Sequence, residues 1–153
     1  MAFIGLISDT HGLLRPEALT ALKGASLILH AGDIGDHGIL QTLGGIAPVT
    51  AVRGNCDVGA WTEELRDTEV VESDGATIYI LHDLSALELN PGAAGFRVIM
   101  SGHTHKPAVE ERTGVLFVNP GSAGPRRFSL PVSIAYLHLK DGIPRCEIVE
   151  LKV

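Results

Sequence analysis

The chain has 153 residues, 45% of them hydrophobic, and a net charge of −6 from 18 acids against 12 bases. That length suits one domain, residues 1–153, whose core needs no staple, and two cysteines, Cys56 and Cys146, are too few for a disulfide framework. The acidic balance argues against a general nucleic-acid binder, which would cluster Lys and Arg, but leaves a phosphate substrate open, because bound metal ions can reverse the local sign.

The N-terminus lacks a basic region ahead of a long apolar run, so Phe3–Ser8 reads as a strand buried on both faces and not as a signal peptide. Pro16–Gly24 reads as a helix, with Pro at its start, Gly at its end, and Ala18, Leu19 and Leu22 on one side. Ser26–His30 is the next strand, Asp36–Leu43 a second helix, and Pro48–Arg53 a third strand. Strands separated by such short helices imply parallel pairing. The second half turns to hairpins. Glu69–Glu72 and Thr77–His82 flank Ser73-Asp74-Gly75; Val109–Arg112 and Val115–Asn119 flank Thr113-Gly114; Ser133–Leu139 and Arg145–Lys152 flank Asp141-Gly142. Between the first two hairpins, a Pro/Gly-broken segment around Leu87–Gly95 leads to a strand at Arg97–Ser101. This order predicts two mixed sheets packed together with helices outside. No apolar run approaches about 18 residues, and a reducing cytoplasm is the expected compartment.

Polar residues punctuate the strand ends. Asp9 and His11 follow the first strand, Asp33 the second and Asn55 the third, while His82 ends a later strand and His103 and His105 follow another. Open α/β sheets bind ligands at the carboxyl ends of their strands, where loops converge on one crevice. Two carboxylates, one amide oxygen and four imidazoles suit Mn, Fe, Co, Ni or Zn in five- or six-fold coordination. They suit a Cys-rich tetrahedral structural zinc site poorly. Asp9/His11 and His103/His105 are i,i+2 pairs, expected on one side of an extended backbone. Gly32, Gly54 and Gly102 would let backbone pass close by. Gly-His-x-His alone is a weak signal; the ordered set of five blocks is a strong one.

Those blocks, Asp9-Thr10-His11, Gly32-Asp33, Gly54-Asn55-Cys56-Asp57, His82 and Gly102-His103-Thr104-His105, resemble the calcineurin-like metallophosphoesterase superfamily, in particular its small bacterial and archaeal phosphodiesterase branch. The resemblance runs from Ile7 to about Pro131 and includes the Asn119-Pro120-Gly121-Ser122 turn. It implies a four-layer α/β/β/α sandwich with a dinuclear site that hydrolyses phosphate esters by attack of metal-activated water. Asp9, His11 and His105 would hold one divalent ion and Asn55, His82 and His103 the other, with Asp33 bridging. Mn²⁺ is favoured. Asp33, Asn55, His82 and Asp57 are the implied catalytic groups, and Arg53, before Gly54, is a substrate-contact candidate. The expected partner is a small phosphate ester, with no membrane and with self-association left open.

Two positions depart from the family pattern. Many members carry a general-acid His where this chain has Cys56, whose thiol is a poor substitute and would serve packing. Asp83 stands where Gly is common, either orienting a ligand or capping the next segment. His30, His37, His138, Cys146, Arg126 and Arg127 read as packing or surface residues. The rival to an enzyme is a non-catalytic scaffold of the same fold acting through protein partners. Small members of the superfamily include a sorting subunit eroded at the metal positions, whereas all seven are intact here.

Overall fold

The computed structural model describes residues 2–153. Its strands are β1 (Phe3–Ile7), β2 (Ala25–His30), β3 (Val49–Ala51), β4 (Thr68–Ser73), β5 (Ala76–Leu81), β6 (Val98–Met100), β7 (Ala108–Arg112), β8 (Val115–Asn119), β9 (Ser133–Lys140) and β10 (Ile143–Glu150), with α1 (Pro16–Leu22) and α2 (His37–Gly44) between the first three. They form two five-stranded mixed sheets, ordered β10-β9-β1-β2-β3 and β4-β5-β6-β8-β7. In the first, β1, β2 and β3 are parallel; in the second, β5, β6 and β8 are.

Side-chain alternation builds three cores from these sheets. Ile7, Ile28 and Ile134 face the helices and meet Leu22, Ile39 and Leu43. Leu6, Leu29 and Leu137 point the other way, against Ile78, Ile80, Met100 and Val118 of the second sheet. Burying each such side chain stabilises the fold by about 1.5–3 kcal/mol. Gly5 lets α1 lie close on β1, since a Cβ there would strike Leu22.

The third core differs from the expected helical fourth layer. Leu81, Ile99 and Val115 on the outer face of the second sheet are covered by Leu84, Leu87 and Phe96. Among the described residues these come from a 3-10 turn, Leu84–Ala86, and from coil, with no α-helix. Pro91, Gly92 and Gly95 are a physical reason: each disfavours helix, and the segment is too short to nucleate one against them. The architecture is therefore α/β with helices on one face only.

Other boundaries moved for local reasons. Asp36 lies outside α2 as its N-cap, accepting the Gly38 N–H at 2.9 Å. The strand expected over Pro48–Arg53 shrinks to Val49–Ala51, because Val52 and Arg53 turn to pair with Arg66. A further 3-10 turn, Ala60–Glu64, carried no sequence signal. All three hairpin turns place two consecutive residues at positive φ, Asp74-Gly75, Thr113-Gly114 and Asp141-Gly142. That is the tight-turn geometry matching strand twist, and it lets β10 pair from Ile143, two residues earlier than expected. Among the described residues no helix is long and apolar enough to cross a membrane.

Candidate metal centre

Where the parallel strands end, backbone hydrogen bonds continue their registers into the loops. Asp9 N–H donates to Gly32 O (3.0 Å), His11 N–H to Asp33 O (2.9 Å), Gly102 N–H to His82 O (2.9 Å) and Ala123 N–H to Ser8 O (3.1 Å). The loops are thus extensions of the sheets. The i,i+2 pairs converge, but not by strand alternation. Asp9, His11, Asp33, His103 and His105 all have positive φ, between 46° and 72°. Non-glycine residues adopt this region at a cost, and such strain gathers at functional sites.

All seven expected side chains come together. His11 Nε2 lies 3.6 Å from Asp9 Oδ1, 3.7 Å from Asp33 Oδ2 and 3.2 Å from His105 Nε2. His105 Nε2 is 3.4 Å from Asp9 Oδ1, and His82 Nε2 is 3.2 Å from Asp33 Oδ2. His103 Nδ1 is 3.3 Å from Asn55 Oδ1. Asp9–His11–His105 and Asp33–His82–His103 are each tight enough to hold one ion, and His11–Asp33–Cys56 links them. Asp9, Asp33, His82 and His105 are buried; Asn55 and His103 open to solvent.

The donor chemistry fits divalent cations. His82 Nδ1–H donates to Ala31 O at 2.7 Å, which leaves Nε2 with its lone pair aimed at a carboxylate. An acceptor facing an acceptor requires a proton or a cation between them, and anchoring the far ring nitrogen on a carbonyl is how metal-binding histidines are oriented. Asp9 Oδ1 and His82 Nε2 are buried without a hydrogen-bond partner, both pointing into the cluster. Burial works to raise the Asp33 carboxyl, but the His82 imidazole beside it and the Cys56 N–H outweigh it and hold it down at about 2. Burial would lower His82, yet the Asp33 and Ala31 contacts leave it raised. His105 is lowered, chiefly by burial, keeping its imidazole neutral and ligand-competent.

Glycines make room. A Cβ on Gly54 would fall on the Asp33 backbone nitrogen and carboxylate, and one on Gly32 would sit 2.8 Å from Gly54 N and 2.9 Å from His82 Nδ1. Gly54→Ala should therefore cost about 3 kcal/mol or more, read as a lower urea midpoint at unchanged slope. A midpoint within experimental error of wild type would show that the loops are slack.

Several neighbours hold positions that spacing did not give. Asp57, expected as a catalytic group, is occupied: Oδ1 accepts the Gly35 N–H and Oδ2 the Gly54 N–H, both at 2.9 Å. It clamps the Asn55 loop to the Asp33 loop, a positioning role. Cys56 is exposed, not packed, with its thiol beside His11 and Asp33; burial of the sulfur's surroundings and the Asp33 charge push it up. Arg53 Nη2 is tied to Asp67 Oδ1 at 2.9 Å. Asp83 caps the 3-10 turn through Ser85 (3.0 Å to its N–H), which is the capping reading; at 3.8 Å from His103 Nε2 it makes no hydrogen bond to that ring. Asn119 Nδ2 donates to Gly102 O at 3.0 Å and Ser122 Oγ to Asp9 O at 3.0 Å, fastening the His103–His105 loop to the Asp9 loop. Thr10 was given no role by the sequence, and His30, expected to pack, is buried and hydrogen-bonded as well. The buried His30 accepts the Gly32 N–H on Nδ1 (3.0 Å) and meets Thr10 Oγ1 through Nε2 (3.1 Å); Thr10 donates in turn to Ile34 O at 2.8 Å. A buried histidine within a His-Ala-Gly-Asp run was the available signal. His37 and His138 lie away from the cluster, by Trp61 and Glu147.

Residues 2–142 match the family described as the calcineurin-like phosphoesterase superfamily domain. A probable metallophosphoesterase of Methanocaldococcus jannaschii is 35% identical over 147 residues, spanning 90% of this chain and 76% of that protein. The structure of a novel archaeal phosphodiesterase superposes with a TM-score of 0.80 at 26% identity, covering 96% of this chain and 99% of its own. Vps29 of Chaetomium thermophilum shares the fold, with a TM-score of 0.79 at 20% identity over 99% of this chain and 97% of its own. The family match spans all seven convergent side chains, and the chain belongs to the calcineurin-like phosphoesterase superfamily.

Proposed function

We propose that this protein is a metal-dependent phosphodiesterase holding two divalent ions, with Mn²⁺ the first choice and Fe, Co, Ni or Zn as substitutes. The carrying observation is the bare His82 Nε2 facing the Asp33 carboxylate at 3.2 Å, in one of two ligand clusters that the group His11–Asp33–Cys56 links. Asp9, His11 and His105 would hold one ion, Asn55, His82 and His103 the other, and Asp33 both. Bound there, the ions supply Lewis acidity toward the phosphoryl oxygens and activate water for attack.

The chain's own work is positioning. Ala31 O fixes the His82 ring, Asp57 fixes the Asn55 loop, and Ser122 and Asn119 fix the Asp9 and His103 loops. The matched relatives' names, probable metallophosphoesterase and phosphodiesterase, support the reading. The likeness to Vps29 is one of fold, and the intact ligand set disfavours a purely non-catalytic scaffold.

Cys56 tests the substrate side. The Cys56 thiol, pushed up by burial and the Asp33 charge, is a weak proton donor to an alkoxide, and a well-placed general acid contributes about 10²–10⁴-fold. Aryl diesters, whose leaving groups need little protonation, should be cleaved well and alkyl monoesters poorly, with Cys56→Ser altering aryl-diester rates only slightly. Metal analysis of purified protein followed by a leaving-group series with Mn²⁺ added checks this. A nearly flat series that turns steep in Cys56→Ser would show that Cys56 does donate a proton.

A further inference from the structure

One cavity of about 710 Å³ opens directly from the cluster and is lined on one side by Asn55, His82 and His103. It runs from there over the outer face of β5, past Tyr79 and Leu81, to Asp67 and Glu88, while Asp83 lines it next to the cluster, 3.8 Å from His103 Nε2. This is the room available to whatever ester group lies beyond the reacting phosphate.

The charge of that room is one-sided. Its lining has four carboxylates, Asp57, Asp67, Asp83 and Glu88, against one guanidinium, Arg53. Arg53 is not free to receive an anion, because Nε and Nη2 both donate to Asp67 Oδ1, at 3.1 and 2.9 Å. Asp83 accepts the Ser85 hydroxyl and N–H at 2.8 and 3.0 Å. Glu88 is exposed at the far end. The cationic end of the site is thus confined to the metal cluster, and beyond it the field is negative. Tyr79 adds an aromatic surface, stacked on Phe96 at 4.9 Å between ring centroids.

We infer that, within the phosphodiesterase reading on which this rests, the cavity selects diesters whose second ester group is uncharged or cationic and rejects those carrying a further anion, such as a second phosphate or a carboxylate. A substrate phosphate would sit at the cluster, while a cationic or neutral organic group would lie along Tyr79 and Leu81 toward Asp67 and Glu88. A phosphorylated or carboxylated group would meet Glu88 there, and an Arg53 already engaged by Asp67. The ion pair at Arg53 makes it a guard of that selectivity and not a phosphate clamp.

Three p-nitrophenyl diesters of similar size test this on the Mn²⁺-loaded full chain, differing only in the second alcohol: 3,3-dimethylbutyl, 2-(trimethylammonio)ethyl and 2-carboxyethyl. With a net excess of about three carboxylates acting through a wet cavity, kcat/KM should fall about tenfold or more from the cationic to the anionic ester, mostly through KM. The preference should shrink as ionic strength rises. Glu88→Gln should narrow the cation-to-anion ratio about two- to threefold, and Asp67→Asn should narrow it further by releasing Arg53. These two residues are exposed, so folding is checked simply by an unchanged thermal midpoint; the cation-to-anion ratio, not the absolute rate, is the readout. Equal kcat/KM for the three esters, or a preference for the anion, overturns the inference and leaves the phosphodiesterase reading standing. Cleavage of none of them removes that reading and this inference with it.

Discussion

Asp33→Asn is expected to reduce aryl-diester hydrolysis by at least about 10³-fold and to lower occupancy of both metal positions in the same preparation. The substitution preserves shape and one acceptor oxygen, and removes the charge. In the wild type that charge is divided: Oδ1 accepts the Cys56 N–H at 2.8 Å, while Oδ2 stands 3.2 Å from His82 Nε2 and 3.7 Å from His11 Nε2. His11 belongs to one ligand group and His82 to the other, so Asp33 is the side chain through which both lose a ligand together. An asparagine amide would also aim its NH₂ at one of these partners. His11→Ala, by contrast, should deplete mainly one ion. Elemental analysis after exhaustive buffer exchange, paired with kcat/KM on an aryl diester, separates the two patterns. Full turnover with two ions retained by Asp33→Asn would refute the bridging assignment, and a proportionate loss in His11→Ala would blur it.

The site was legible because its chemistry is written in residue type. Asp9, His11, Asp33, Asn55, His82, His103 and His105 stand at the ends of strands that periodicity locates, and the parallel strands of both sheets deliver them to one edge. How they converge was not legible. The i,i+2 spacing suggested an extended backbone, whereas the structure uses left-handed φ at five of the seven, a choice made by cross-loop hydrogen bonds and not by local propensity. Asp57 shows the same limit. A carboxylate beside a metal ligand looks catalytic until both its oxygens are seen to hold backbone N–H groups. The fourth layer failed for a different reason: Tyr79, Leu81, Ile99 and Phe117 announce an apolar outer face, but nothing local says whether helix or coil will cover it. Proline and glycine then decided against the helix.

His30 governs the second large effect, a loss of stability in acid. It is fully buried, and burial first, then the nearby His82 charge, lowers it to about 3. Its hydrogen bonds require the neutral form, since Nδ1 is an acceptor from Gly32 N–H and Nε2–H is left to donate to Thr10 Oγ1. The unfolded chain takes up a proton on this residue near pH 6.5, and the folded chain does not until about pH 3. Over that interval the unfolded state binds more protons, so the contribution is complete above about 6.5 and is lost as pH falls toward 3. At pH 4.5 it amounts to about 2–3 kcal/mol. Asp33, depressed to about 2, adds acid lability only below the ordinary carboxylate range. His105 acts in the same direction as His30, and His82, raised, acts in the opposite one. The informative quantity is therefore the difference between wild type and His30→Gln in chelator-treated protein, each followed by urea midpoint from pH 7.5 to 4.5. His30→Gln should be less stable at pH 7.5 by about 1–3 kcal/mol, having lost the two-sided bond between the Asp9 and Asp33 loops, and the two curves should converge as the pH drops. Parallel curves would mean that His30 is not held neutral by the fold. Convergence would make it the buried link through which acid loosens the loops that carry the metal centre.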